Sequence, residues 1–377
     1  MRSCRVFPWR YGNRFRLLVD GVDFFDRMTQ SIDGAGHHVL LEMYLVESGA
    51  IAERFIATLT RAVARGVHVA ALFDGFGSLG LRAKDRRRLS AGGVDLRFYN
   101  SPMWHKRRRN FLRDHRKLLL VDGRVAFVGG MGLTDDFAGS DGWRETVVEI
   151  EGPVVADWGS LFARTWDRRA ACNVAFHGAA ARPEGTDGVA GRVASSDGWH
   201  RAELAASVVQ RIATARRRIW ITSPYFVTSR RFRKALRRAA RRGVDVRLLG
   251  SGPLTDHPVV RHAARRFFGR LLRNGVRIFE YQPRVLHAKS VICDDWVSIG
   301  SSNLDRWGFK WNLEANQEIE HSPFANRAAA VFEDDCRWSL ELDRMEWTRR
   351  STRDRLREYL AGMLDRILER WRRPLGQ

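Results

Sequence analysis

The sequence predicts an α/β protein built as two similar halves related by a pseudo-twofold, each with a mixed, largely buried central sheet. Three observations carry this. The stretch RDHRKLLLVDG (113–123) returns 172 positions later as VLHAKSVICDD (285–295). Apolar runs alternate with helix-period segments in the same order around both copies, as in an α/β fold. At 377 residues and 44% hydrophobic content, the chain is long enough to give each half a core.

Each half opens on an apolar run, HVLLEMYLVESG (38–49) and RRIWITSPYFVTS (217–229). A helix-period segment closing on glycine and a second strand follow, in FIATLTRAVARGVHVAALFDG (55–75) and FRKALRRAARRGVDVRLLGSG (232–252). Next come GGVDLRFYN (92–100) and NGVRIFEYQ (274–282), the repeated stretch, and then VGGMGLTDDF (128–137) against IGSSNLDRWGF (299–309). The Gly-, Ala- and Pro-rich HGAAARPEGTDGVAG reads as a linker at 177–191, leaving repeats at 1–176 and 192–340. Residues 341–377 have no counterpart and form a basic amphipathic C-terminal helix, with Leu356, Leu360, Leu364, Ile367, Leu368 and Trp371 at spacings of three and four. Such a stripe is expected to pack on its own domain.

The net charge of +22 favours a polyanionic partner: nucleic acid, an anionic lipid surface or a phosphate-bearing substrate. Only six of the 65 basic residues are lysines, and two of those six, Lys117 and Lys289, fall in the repeated stretch. Cys4, Cys172, Cys293 and Cys336 show no CxxC spacing, which argues against a disulfide framework or zinc knuckle and for reduced thiols in a cytosolic protein. No signal-peptide core and no long uncharged apolar run is present, so the chain is expected to sit on a membrane and not to span one.

The shared letters are His, any residue, Lys, four residues, Asp. From the chain's His, Lys and Asp content, on the order of 0.01 chance matches are expected, yet two occur in register with the repeat. KLLLVDGRVAFVGG reads as strand, turn and strand, so His115 and Lys117 face one way, as do His287 and Lys289. Asp122 and Asp294 fall at the turns, where local hydrogen bonding explains an acidic residue as well as catalysis does. A lysine beside a histidine repels a metal cation but suits a phosphoryl group. Two such pairs facing each other would set imidazoles on both sides of one phosphorus. One would attack as nucleophile and the other protonate the leaving oxygen, the roles reversing in the second step. Gly129 and Gly130, and Gly300, Ser301 and Ser302, would let backbone and hydroxyls approach the ligand, with Asn303 as a side-chain donor.

These residues resemble the phospholipase D superfamily, whose signature is HxKxxxxD, a G-G or G-S step and an Asn. The finer likeness is to bacterial cardiolipin synthases, in HRKLLLVDGRVAFVGG, WRETVVEIEGP (143–153), SPYFV (223–227), LHAKSVICDDWVSIGSSNLD and NLEAN (312–316). It runs from about residue 12 to about 340 and looks like a short form without N-terminal transmembrane helices. The resemblance implies two phospholipase-D-like α/β/α repeats with the active site between them. His115 would be the nucleophile, His287 the general acid and base, and Lys117 and Lys289 the phosphate ligands. Glu145 and Glu314 would orient the histidines, and Gly132 departs from the Asn that Asn303 represents in the other half.

The implied reaction is phosphatidyl transfer from phosphatidylglycerol to a second lipid hydroxyl, giving cardiolipin, with no cofactor or metal. Some relatives take phosphatidylethanolamine as donor, and hydrolysis would give phosphatidic acid. The partners implied are anionic phospholipids, contacted peripherally at the cytoplasmic face of the bacterial inner membrane. Candidate contact surfaces are 105–113, the Arg-rich 229–243, the loop 305–311 and the C-terminal helix, with Trp307, Phe309 and Trp311 equally explicable as core. The rival readings are a nuclease or phosphodiesterase of the same superfamily, for which nucleic acid is the disfavoured partner, and a catalytically silent binding module.

Overall fold

The computed structural model describes residues 6–103, 110–166, 188–197, 203–305 and 311–371, the last helix with side chains to residue 363. Most of the expected linker, Cys4, Cys172 and most of the loops 105–113 and 305–311, including Trp307 and Phe309, lie outside these residues. So do the side chains of Leu364, Ile367, Leu368 and Trp371.

The first half forms a seven-stranded sheet in the order Arg14–Val19, Thr146–Glu151, Val125–Gly129, Leu118–Val121, His38–Met43, His68–Asp74, Asp95–Tyr99. The second repeats it as Ala190–Asp197, Asn312–Glu320, Trp296–Gly300, Ser290–Cys293, Arg218–Thr222, Asp245–Ser251 and Arg277–Tyr281, and adds the edge strand Ser339–Glu341. In each half the three strands joined through helices pair in parallel and the motif hairpin pairs antiparallel, so both sheets are mixed.

The helices Ala50–Ala64 and Arg230–Arg241 make the equivalent crossovers, burying Phe55 and Leu59 in one and Phe232 and Leu236 in the other. The arginines of the second helix stay on its outer side, as the sequence pattern required. Arg14–Val19 and Ala190–Asp197 open the two repeats and were not expected as strands. The first is only half buried, and the second begins inside the Gly- and Ala-rich linker, where composition hides the strand.

The halves share one core. Leu118, Leu120 and Val148 of the first sheet lie in the same apolar cluster as Ile292, Ile299 and Ala315 of the second. Trp158 donates its indole N–H to Gln317 Oε1 at 2.8 Å across this junction. Arg116 lies between the repeats, donating to Thr165 Oγ1 at 2.7 Å and to Asp197 at 2.8 Å, whereas Ala288, its counterpart, is simple core.

The C-terminal helix, Thr352–Trp371, departs from expectation. It docks through Glu358, Ala361 and Gly362, while Leu356 and Leu360 face solvent. Glu358 accepts from Arg265 at 3.4 Å and from Arg350, and a Cβ at Gly362 would run into Arg266. Ion pairing and close approach, not the leucine stripe, therefore set the rotation of the helix.

Candidate active site

Each motif histidine is held by the opposite half of the chain. Just ahead of His115, Arg113–Asp114 adds to the second sheet, pairing in parallel with Asn312–Leu313. The His115 N–H donates to Leu313 O at 3.0 Å, and the next residue, Glu314, lies 3.1 Å from His115 Nδ1 through Oε2. The mirror arrangement holds for His287. Arg144 bridges Leu286, the His287 N–H donates to Arg144 O at 2.8 Å, and Glu145 Oε2 lies 2.7 Å from His287 Nδ1. At His115 the carboxylate at Nδ1 fixes the tautomer and leaves Nε2 for chemistry. At His287 the Lys289 Nζ also stands 2.8 Å from Nδ1, beside Glu145, and Nε2 is again the nitrogen left for chemistry.

Both histidines border one cavity of about 860 Å³, together with Lys117, Gly130, Gly132 and Asn303. The strands begin at Leu118 and Ser290, so the His and Lys side chains come from the segments entering the strands and not from the strands themselves. Lys117 Nζ donates to His115 O at 2.6 Å, and Lys289 Nζ likewise donates to His287 O. Lys289 lies behind the cavity wall, 3.5 Å from Glu145. Tyr44 packs edge-on against His115 at 4.7 Å, and Phe137 and Trp143 flank His287 at 5.4 and 5.3 Å. These aromatic supports carry no spacing signal, and the sequence did not reveal them.

The remaining predicted residues fall into two groups. Gly130 and Asn303 border the cavity, and the Oδ1 of Asn303 is buried without a hydrogen-bond partner. Gly129, Ser301 and Ser302 lie behind it. A Cβ on Gly129 would meet Thr146 O at 2.6 Å, Ser301 donates its hydroxyl to Glu314, and the Ser302 N–H donates to Asn316 Oδ1 at 3.2 Å. Asp122 and Asp294, for which the sequence left catalysis and local hydrogen bonding both open, are outside the cavity wall. The Asp122 carboxylate accepts the N–H groups of Gly36, His37 and His38, each at 2.8 Å. Asp294 accepts those of Arg216 and Arg217 at 2.9 Å and of Arg218 at 3.0 Å. Each sits at φ 52° in its turn, a conformation Asp tolerates. Burial opposes ionisation of both, but the three N–H donors outweigh it and hold both below the ordinary carboxylate range.

The two sides of the cavity differ electrostatically. Burial would raise Glu314, but His115, Lys117 and the Ser301 hydroxyl bring it below the usual range. Glu145 is pushed up to about 7 by burial, against the pull of Lys289 and the Thr146 N–H. Burial also brings Lys117 down to about 7, opposed by Glu314 and reinforced by Lys289. His115 is lowered by burial with partial compensation from Glu314, and His287 falls further because Lys289 and Lys117 add to burial. A site that discourages its own cations when empty favours an anion that restores them.

The sequence matches the family model described as cardiolipin synthase, PLD-like domain, over residues 28–166 and 208–336, one match per repeat. The chain belongs to that family. It is 34% identical over 331 residues to cardiolipin synthase B of Escherichia coli strain K12, covering 84% of this chain and 78% of that protein. It is 35% identical over 364 residues to cardiolipin synthase A of Pseudomonas putida strain GB-1, covering 94% and 74%. Among solved structures, the phosphatidylserine synthase of Haemophilus influenzae Rd KW20 superposes with TM-score 0.73 at 13% identity over 97% of this chain and 95% of that one. The polyphosphate kinase of Porphyromonas gingivalis gives TM-score 0.59 at 14% identity, with 88% of this chain and 49% of that one covered. These two similarities speak to the fold.

As a cardiolipin synthase family member the chain is a phosphatidyltransferase acting on phospholipids, and the expected two-repeat α/β architecture is the one observed. The crossed pairing of Glu145 with His287 and of Glu314 with His115 was not legible beforehand, because the repeated sequence fits pairing within a half equally well. Among the described residues no helix is long and apolar enough to cross a membrane.

Proposed function

We propose that this enzyme transfers the phosphatidyl group of phosphatidylglycerol to a primary hydroxyl of a second phosphatidylglycerol. His115 Nε2 attacks phosphorus, the bond to the glycerol oxygen breaks, and His287 gives that oxygen its proton. Glycerol leaves, and a phosphatidyl group remains on His115. His287, now neutral, takes the proton of the incoming lipid hydroxyl, whose oxygen displaces His115 and yields cardiolipin. Lys117, which borders the cavity, stabilises charge on the phosphate oxygens, Lys289 adds its field from behind the wall, and no step calls on a metal or cofactor.

The observation that carries this reading is the crossed pair of carboxylate–histidine contacts at one cavity. The difference between them supports His115 as nucleophile. Ionised Glu314, held by Ser301, accepts the His115 Nδ1 proton and leaves Nε2 with a free lone pair. His287, whose carboxyl partner is neutral below about pH 7, is the half that changes protonation, and bound phosphate raises its proton affinity. Asn303 would donate to the phosphate or acceptor, whereas Gly132, seated closely against Leu45, supplies no such donor. The enzyme would work peripherally at the cytoplasmic face of the bacterial inner membrane, where its lipid substrates lie.

The test offers protein in EDTA either phosphatidylglycerol vesicles or DNA. Cardiolipin and free glycerol in equal amounts support the reading. Cut strands with no cardiolipin contradict it.

A further inference from the structure

The candidate active site opens beside apolar side chains that the fold does not cover. Phe76 and Val259 border the cavity yet are 53% and 52% exposed, and Leu254 on the same segment as Val259 is 50% exposed. Ala361 of the C-terminal helix also forms part of the wall. On that helix Glu358 and Ala361 are 5% and 8% exposed, whereas Leu356, Leu360 and Met363 are 57%, 48% and 42% exposed. At about 100° per residue the two sets fall on opposite sides of the helix. The ion pairs of Glu358 with Arg265 and Arg350, and the close seat of Gly362 against Arg266, hold the apolar side outward.

We infer that this rim, the outer side of the C-terminal helix together with Leu254, Val259 and Phe76, is the face by which the protein lies on an anionic phospholipid bilayer. Charge and continuity select that occupant. Arg353 and Arg357 are exposed beside the leucine stripe, where long basic side chains reach lipid phosphates while the apolar residues enter the headgroup boundary. The chain as a whole carries +22. Phe76, Val259 and Ala361 also line the cavity, so this face runs up to the site and a lipid leaving the bilayer has a short path into it. The inference rests on the phospholipid-transfer reading for its choice of occupant.

Leu356→Asp, Leu360→Asp and Met363→Asp are combined and compared with Leu340→Asp, a change on the exposed edge strand outside the cavity wall. Co-sedimentation uses phosphatidylcholine vesicles with and without phosphatidylglycerol, and turnover uses soluble short-chain phosphatidylglycerol. The triple variant is expected to lose at least about tenfold in affinity for the phosphatidylglycerol vesicles while its soluble-substrate turnover stays within about twofold of the parent. The Leu340→Asp protein should bind like the parent.

Deuterium exchange on the unmodified protein supplies a readout without any substitution. Vesicles should protect 352–363 and 252–260 and leave 338–345 unchanged. Vesicle binding unchanged in the triple variant, or protection absent from 352–363, overturns the inference. So does a parent dimer that the triple variant dissolves while vesicle binding persists, because the face would then belong to a second copy of the chain. Failure of the transfer reading shows separately, as absence of cardiolipin from the parent with either substrate.

Discussion

Glu145 and His287 stand 142 residues apart and in different repeats, yet their side chains meet at 2.7 Å between Oε2 and Nδ1. Glu314 and His115 repeat the contact in the opposite sense. Neither half is complete alone, since each supplies a histidine to the cavity and the carboxylate that orients the other's.

Replacing either carboxylate by its amide tests that dependence. Glu314→Gln and Glu145→Gln keep the shape but let the wrong imidazole nitrogen carry the proton, and each should lower kcat on the order of a thousandfold. KM should change little, because neither carboxylate borders the cavity. Steady-state kinetics on phosphatidylglycerol checks this, and a change confined to KM would contradict it.

Gly130 offers a sharper geometric probe. A Cβ there would stand 2.8 Å from Lys289 Nζ and closer still to Glu145 Oε2. Gly130→Ala should therefore displace the pair behind His287 and lower kcat at least about a hundredfold, with only a small shift in Tm. Comparing Tm with kcat separates this from a folding defect.

The turn aspartates should behave in the opposite way. Asp122→Ala leaves three backbone N–H groups without their acceptor and should cost about 1–3 kcal/mol of stability, with kcat of the folded protein nearly unchanged. The folded-state pKa of Asp122 is depressed, so its contribution is present above the unfolded carboxylate pKa and is lost as pH falls through the folded value. Denaturant unfolding at neutral and acidic pH measures both effects, and the gap between parent and variant should narrow in acid.

The pH profile of kcat/KM should be a bell near neutrality. Lys117 and Glu145 both lie at about 7 in the empty site. As pH rises, Lys117 loses the charge that binds phosphate; as pH falls, Glu145 loses the charge that supports the His287 imidazolium. Lys117→Arg should flatten the alkaline limb and Glu145→Gln the acid limb, each at reduced activity.

The repeated stretch made the two halves, the hairpins and the four motif side chains legible, because a strand-turn-strand pattern carrying His and Lys has few other uses. It could not distinguish which acidic residue serves which histidine, since WRET and NLEAN stand in equivalent places. Ser301 was read as a ligand for phosphate, but a hydroxyl next to a buried carboxylate satisfies that carboxylate first. The leucine stripe of the last helix is expected to pack on its own domain, with the helix also a candidate membrane surface, and Leu356 and Leu360 face solvent. The rotation of the helix is set by Glu358 and Gly362, whose partners Arg265 and Arg266 lie at the end of another helix and leave no trace in local pattern.

The central claim is that the two halves build one transfer site in which His115 takes the phosphatidyl group. Mass spectrometry of the His287→Ala protein, quenched in denaturant at mildly alkaline pH after prolonged mixing with phosphatidylglycerol, tests it most directly, because an N–P bond survives that quench. This variant forms the intermediate slowly without its acid, but it lacks the base for the second step and should retain what forms. The account predicts a phosphatidyl adduct on the peptide containing His115, absent from the His115→Ala protein. An adduct on His287 in the His115→Ala protein, with none on His115 in its counterpart, would contradict it.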